Sequence, residues 1–198
     1  MGETAEITFE WVGDTLRHVG SAVHAWLARI AREGLEHWSA AAVEARAPVI
    51  RSMLANLGVA PRELNQACNT VMEALIRCIN DTRGRWLLQP HQQSASELAI
   101  TGVVGGQICE AIIDRTFIDE SGIRWIVDYK TGSHKGGSVD QFLASEKLRY
   151  QEQLDRYARL FAQQEDRPVR LALYFPLVTP GWVEWDPPAL IRRQAALF

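Results

Sequence analysis

The chain has 198 residues, of which 47% are apolar and 23% charged, as expected for one compact soluble domain. No apolar run approaches the roughly 20 residues that span a bilayer, and no signal peptide opens the chain. We therefore expect a cytoplasmic protein without membrane contact. The net charge of −3 argues against a free-standing tight DNA binder, because lysine and arginine supply most non-specific DNA affinity. It does not exclude a module that receives nucleic acid from an attached partner.

The first 85 residues predict a helical lobe. Residues 1–13 are interpreted as a loosely ordered lead-in, followed by apolar residues at helical spacing over 14–34, with Asp14 as the N-cap. A second helix is predicted over 39–57, where Pro48 should break or kink it. A third is predicted over 62–80.

After residue 85 the sequence pattern changes and predicts β-strands. Short segments rich in β-branched residues lie between turn signals at 98–100, 106–117, 123–130 and 169–177, with an edge strand at 182–185. Helical character over 139–164 supplies a crossover before the returning strand. This order predicts a mixed α/β sandwich, with a helical lobe over 1–90 and a sheet-bearing core over 91–198 that together form one domain.

The three cysteines, Cys68, Cys78 and Cys109, lie far apart and form no C-x-x-C pair. We interpret them as reduced, mostly buried thiols. They predict neither a disulfide framework nor a zinc site.

Two carboxylates and a lysine lie at the ends of two apolar runs, joined by the turn sequence 119–122. A β-hairpin would bring Asp114 near Asp128, and period-two geometry would put Asp128 and Lys130 on one face. Two carboxylates plus a lysine suit a magnesium site with a group that holds or activates water, which is the chemistry of phosphodiester hydrolysis. The alternative is a strand-end salt bridge, but a second charge inside an apolar run makes this less favoured.

Other polar residues give weaker signals. Gln153 and Tyr157 are four residues apart and therefore share a helix face. Without other signals, we would interpret this face as solvent-exposed, with the tyrosine ring packed against the protein. Glu97 is interpreted as structural in preference to metal-binding, while Glu110 is a weak extra candidate because it lies an even number of residues from Asp114.

Three segments in this order resemble the RecB-type branch of the PD-(D/E)xK nuclease superfamily, which includes the C-terminal nuclease domains of RecB and AddA helicase-nucleases. They are Ile-Ile-Asp-Arg at 112–115, Val-Asp-Tyr-Lys-Thr-Gly at 127–132 and Tyr-x-x-Gln-Leu-x-x-Tyr-Ala at 150–158. The segment 19–27 is similar to the family's first motif, a glycine-led helix with a histidine. The resemblance covers about residues 9–185 and implies a restriction-endonuclease-like mixed sheet flanked by helices, with a helical N-terminal lobe.

The resemblance implies a role for each matching residue. Asp114, Asp128 and Lys130 would be catalytic, and the metal ligands would be His24, the two aspartates and the backbone carbonyl of Tyr129. Lys130 would orient or polarise the attacking water. Without the resemblance, His24 would be an ordinary helix histidine.

Four further residues are expected to support the site or to contact the DNA backbone. They are Gln153, Tyr157, Arg115 and Lys135. For Arg115 and Lys135, solvated charge is the alternative interpretation.

The resemblance also implies a function. It predicts a Mg²⁺-dependent exonuclease or endonuclease, with Mn²⁺ as a substitute, acting on single-stranded DNA. A UvrD-like helicase, in cis or in a complex, would deliver the strand during double-strand break repair and recombination. We expect no iron–sulfur cluster, because the family's four clustered cysteines are missing, and no ATP site, because no Gly-x-x-x-x-Gly-Lys-Ser/Thr occurs.

Two alternatives remain open. A catalytically silent nuclease-fold module could bind DNA or partner subunits, although Asp114, Asp128 and Lys130 are all present. A metal-dependent phosphotransfer enzyme on nucleotides is less favoured, since no glycine-rich phosphate loop occurs.

Overall fold

The structure is a computed structural model that describes residues 4–132 and 136–188, with side chains from residue 13 onward. The described residues form two compact units. The first contains residues 4–89 and 130–132, and the second contains residues 90–129 and 136–188. Within these ranges, none of the helices combines the length and the apolar character needed to cross a membrane.

The first unit is helical. Its helices are α1 (Thr4–Glu33), a 3-10 turn (Leu35–His37), α2 (Ala40–Glu44), α3 (Ala47–Asn56), α4 (Leu64–Asn80) and α5 (Thr82–Leu88). One face of α4 is buried along its whole length, with Val71, Ala74 and Leu75 fully inaccessible. This stripe forms because the apolar residues of α4 recur every three or four positions.

The structure corrects the predicted start of the first helix and confirms the predicted break at Pro48. Helix α1 begins at Thr4, so the predicted lead-in and the N-cap at Asp14 are incorrect. No proline or glycine interrupts residues 4–12, and Asp14 is held on the helix surface by an ion pair with Arg17 at 2.8 Å. Pro48 breaks the predicted second helix as expected, because it lies in the first turn of α3.

The second unit is built on a five-stranded sheet in the order β1-β2-β3-β4-β5. Its elements are β1 (Gln92–Val104), β2 (Gln107–Ile118), β3 (Arg124–Tyr129), α6 (Val139–Phe161), β4 (Val169–Tyr174) and β5 (Trp182–Trp185). All neighbouring strands are antiparallel except β3 and β4, which are parallel and joined through α6. This mixed sheet with helices confirms the predicted restriction-endonuclease-like fold class.

Several boundaries differ from the prediction. Strand β1 has 13 residues, although only 98–100 were predicted, because its exposed polar residues hide the strand pattern. Strand β3 ends at Tyr129, one residue before Lys130, and β4 ends at Tyr174. Helix α5 was not predicted; the Asp81 side chain caps it by accepting the Gly84 N–H at 2.8 Å.

Helix α6 packs on one face of this sheet. Leu154 and Ala158 of α6 join one buried cluster with Ile113, Ile126 and Leu173 from three strands. Close packing of this kind fixes the helix over the strands that carry the predicted carboxylates.

Candidate active site

Asp114 and Asp128 lie on neighbouring strands, each one residue beyond the last pair between β2 and β3. Strands β2 and β3 run antiparallel, and their pairing extends from Ile118–Arg124 to Arg115–Val127, directly before Asp128 and directly after Asp114 in sequence. Both aspartates are buried, with 9% and 6% exposure. The predicted hairpin therefore forms, and the proximity of its two carboxylates stays a prediction.

The Asp114 carboxylate also binds the end of β3. Its Oδ2 accepts a hydrogen bond from the backbone N–H of Tyr129 at 2.7 Å. The Tyr129 ring is buried and packs edge-on against Tyr174, with 6.3 Å between the ring centroids. This hydrogen bond fixes the orientation of the carboxylate, and a fixed carboxylate is better suited to coordinate a metal ion than one that rotates freely.

Glu97 is a third carboxylate on this sheet, and it lies on β1 opposite Asp114. The pairs Ser96–Arg115 and Leu98–Ile113 flank it in the β1–β2 register, so Glu97 is aligned with Asp114. Its φ of 51° is a left-handed backbone conformation, which is uncommon for a residue other than glycine. Side-chain oxygens of Glu97 and Asp114 lie within 4.8 Å of each other.

Glu97, which the sequence analysis interprets as structural, lies beside Asp114 and is therefore a candidate metal ligand. Glu110, the weak extra candidate, pairs instead with Thr101, four residues along β2 from Asp114. That separation corresponds to about 13 Å of strand. The missed signal was Gly105-Gly106, a two-residue hairpin turn with positive φ at both positions; counting outward from it pairs Glu97 with Asp114.

The Glu97–Asp114 pair fits a divalent cation. Carboxylate oxygens are the hard ligands that Mg²⁺, Mn²⁺ and Ca²⁺ accept, and ligands of one such ion lie about 3–5 Å apart. Two carboxylates this close repel each other unless a cation lies between them. The donor set therefore suits a hard divalent ion.

Asp128 faces the side of the sheet that α6 covers. It lies two residues after Ile126 and opposite Leu173, and both of these belong to the core beneath α6. On α6, Gln153 Nε2 donates a hydrogen bond to the Tyr157 hydroxyl at 2.7 Å. Tyr157 packs against the same core, so this pair lies on the Asp128 side of the sheet.

Lys130 and His24 belong to the helical unit. Because β3 ends at Tyr129, the period-two argument that put Lys130 on the face of Asp128 does not apply. His24 lies half-buried on α1. The roles of both residues stay predictions.

Arg115 is buried at 3% exposure. Its Nη1 donates to Ser96 Oγ at 3.2 Å, and its guanidinium lies 5.7 Å from the centre of the Phe117 ring. Burial lowers the pKa of Arg115, while the neighbouring Tyr129 opposes this change. This environment favours a supporting role over contact with a phosphate. Lys135 lies outside the described residues.

A close carboxylate pair on a mixed sheet, suited to a hard cation, is typical of metal-dependent hydrolases of the restriction-endonuclease type. The chain belongs to the PD-(D/E)XK nuclease superfamily, whose family model matches residues 10–193. No curated protein matches the chain at a significant level.

The superfamily assignment fixes the general chemistry. Its members are usually nucleases that hydrolyse phosphodiester bonds, and they typically use divalent metals. The fold therefore implies DNA binding and a metal-dependent nuclease.

Proposed function

We propose that this chain is a Mg²⁺-dependent deoxyribonuclease domain of the RecB/AddA type, cutting single-stranded DNA that a UvrD-like helicase delivers. The observation that supports it best is the close pair of Glu97 on β1 and Asp114 on β2, whose side-chain oxygens lie within 4.8 Å of each other. Together with Asp128 on the next strand, β3, these residues are called the acidic row. A catalytically silent module would gain nothing from keeping the Glu97 and Asp114 carboxylates this close, because their charges repel.

The ligand roles proposed here combine the row with the resemblance. Asp114 and Asp128 would hold the ion together with His24 and the backbone carbonyl of Tyr129, and we add Glu97 because its carboxylate lies within 4.8 Å of Asp114. When bound, Mg²⁺, or Mn²⁺ as a substitute, supplies Lewis-acid stabilisation of charge on the phosphodiester. The hydrogen bond from Tyr129 N–H holds Asp114 in place throughout.

Lys130 is proposed to act on water and phosphate. Its ammonium group would orient the attacking water in line with the P–O3′ bond and offset negative charge that develops on the phosphate. The 3′ oxygen then leaves with a proton as the phosphodiester is hydrolysed. Gln153 and Tyr157, linked by their hydrogen bond, would support this side of the site or contact the DNA backbone.

The proposed biological setting follows from the resemblance to helicase-nucleases. The helical residues 1–90 and the sheet-bearing residues 91–198 would work as one nuclease domain, attached to the motor in cis or within a complex. The motor supplies the strand, so the net charge of −3 is no obstacle. Repair and recombination of broken DNA in the cytoplasm is the corresponding process.

Cleavage assays test the proposal directly. End-labelled linear single-stranded, linear duplex and circular single-stranded DNA are each incubated with Mg²⁺, Mn²⁺ or EDTA, using wild type, Asp128→Asn and Asp140→Asn. Asp140 is an exposed aspartate in the first turn of α6, so its variant controls for loss of one charge. We expect metal-dependent cleavage that Asp128→Asn abolishes and Asp140→Asn retains, and the circular substrate separates internal from end-dependent cutting.

The silent-module alternative predicts a different result. Wild type and Asp128→Asn would then bind DNA equally without cleaving it, even after a UvrD-like helicase is added. That outcome would overturn the nuclease proposal.

A further inference from the structure

Gly20 lies on α1 where a side chain would meet the segment that follows β3. A Cβ placed on Gly20 would lie 3.3 Å from Thr131 Oγ1, closer than an ordinary van der Waals contact. Both residues belong to the helical unit, and Thr131 directly follows Lys130. The backbone of α1 therefore approaches Thr131, the residue after Lys130, closely at this point.

The backbone conformation at position 20 does not require a glycine. Gly20 lies inside a regular helix, and its φ is not in the left-handed range. Glycine in a helix interior is less favourable than alanine by about 1 kcal/mol. Close approach to Thr131 supplies the physical reason for a residue without a side chain.

The contact joins two parts of the proposed site. His24 lies four residues after Gly20 on the same helix face, about 6 Å along the axis. Lys130 is covalently next to Thr131. A displacement at the Gly20–Thr131 contact would therefore move Lys130 relative to His24.

We propose that Gly20 and Thr131 form a positioning pair that fixes Lys130 for strand cleavage. This inference rests on the proposed function, because it depends on the action of Lys130 on the attacking water. Gly20 and Thr131 act through Lys130 and are not themselves catalytic residues.

Gly20→Ala and Gly13→Ala form a matched pair of variants. Both glycines lie on α1 and gain the same helix propensity, but a Cβ at Gly13 meets nothing within 4 Å. On end-labelled single-stranded DNA with Mg²⁺, we expect Gly20→Ala to lower kcat about tenfold with unchanged KM, since small misplacements of a catalytic group slow the chemical step. Gly13→Ala should leave both constants unchanged.

Substitution of Thr131 then tests the contact atom. Thr131→Ala removes Oγ1, whereas Thr131→Ser keeps an oxygen at that position. We expect Gly20→Ala to change kcat by less than about twofold in the Thr131→Ala background and to retain its roughly tenfold effect in the Thr131→Ser background. A general disturbance of α1 would instead give the same loss in every background.

The outcomes separate the inference from the proposed function. If wild type cleaves and Gly20→Ala matches Gly13→Ala, the positioning pair is refuted while the nuclease stands. If wild type shows no metal-dependent cleavage, the proposed function falls and the positioning role falls with it. If Gly20→Ala fails to fold, recovery of both folding and cleavage by added Thr131→Ala is expected, and continued failure overturns the proposal.

Discussion

Asp114 both stabilises the fold and belongs to the proposed metal site. Its carboxylate accepts the buried Tyr129 N–H and lies within 4.8 Å of the Glu97 carboxylate. Substitution can separate the hydrogen bond from metal binding, because an amide side chain keeps a hydrogen-bond acceptor but loses the negative charge.

We predict that Asp114→Asn and Asp114→Ala both abolish cleavage but differ in stability. The amide oxygen of asparagine can still accept the Tyr129 N–H, so the free energy of unfolding should fall by less than about 1 kcal/mol. Alanine leaves a buried N–H without this acceptor, which costs about 1–3 kcal/mol. Cleavage of end-labelled single-stranded DNA with Mg²⁺ measures the first effect and urea unfolding measures the second. Equal stability of both variants would contradict the structural role.

Glu97 and Glu110 provide a second matched pair, since both are exposed glutamates of the β1–β2 hairpin. We predict that Glu97→Gln weakens Mn²⁺ binding about 10- to 100-fold, the usual effect of altering a group that holds or supports a metal ligand. Glu110→Gln should bind as wild type does, because Glu110 lies beside Thr101, away from Asp114. Calorimetric titration decides, and equal affinities would remove Glu97 from the site.

Only part of this site could be predicted from the sequence. Asp114 and Asp128 were identified because a charge inside an apolar run needs a reason. Glu97 was interpreted as structural and not as a metal ligand, because its place beside Asp114 depends on strand register, which the two-residue turn at 105–106 sets. His24 depends on tertiary structure and was proposed from resemblance alone.

At the scale of elements, the β2–β3 turn sets the register of the two strands that carry Asp114 and Asp128. Asp119 Oδ1 accepts the N–H groups of Ser121 and Ile123 at 2.9 and 3.0 Å, and its Oδ2 accepts the Trp125 indole N–H at 2.8 Å. This confirms the turn predicted from the sequence. Partial burial alone would raise the pKa of Asp119, but these hydrogen bonds outweigh it and lower the pKa.

We predict that Asp119→Ala lowers the free energy of unfolding by about 1–3 kcal/mol at neutral pH, because three donors lose their acceptor. Since the folded pKa is depressed, the stabilisation by Asp119 is present above the ordinary aspartate pKa and is lost as the pH falls through the folded pKa. The difference between wild type and variant should therefore shrink in acid. Urea unfolding from pH 7 to pH 3 measures it, and a difference independent of pH would contradict the assignment.

Asp155 on α6 should show the opposite pH dependence. It is buried, and burial raises its pKa against the opposing effects of the Trp185 indole, Arg159, Gln151 and Lys147. A raised folded pKa means that its contribution to stability is present below the ordinary aspartate pKa and is lost as the pH rises through the folded pKa.

We therefore predict that Asp155→Asn stabilises the protein at pH 7 relative to wild type, because asparagine avoids burying a charge. The gain should disappear near pH 4. Thermal unfolding at both pH values tests this, with the exposed Asp140→Asn as control. A loss of stability at pH 7 would show that the charged form of Asp155 is the one that the fold requires.

Element boundaries were harder to predict than element types. The helices of the first unit and the crossover helix α6 follow from apolar spacing, and Pro48 marks the break before α3. Strand β1 extends well beyond 98–100, because its polar residues face solvent and give no apolar alternation. The start of α1 was misplaced because Asp14 resembles an N-cap but lies within the helix.

At the scale of the whole molecule, the mixed α/β class followed from the order of predicted elements. Helical patterns fill the first part of the chain, and short β-branched runs with one crossover helix fill the rest. Membership of the PD-(D/E)XK superfamily over residues 10–193 agrees with that order.

The order of strands in the described sheet is also their order along the chain. Strands β1, β2 and β3 are joined by short turns, and the long connection through α6 comes only between β3 and β4. Pairings between sequence neighbours give a low contact order, which favours rapid folding. We expect the first three strands to associate before α6 and β4 join them. The acidic row is thus encoded in one uninterrupted stretch, residues 97–128, and can form early in folding.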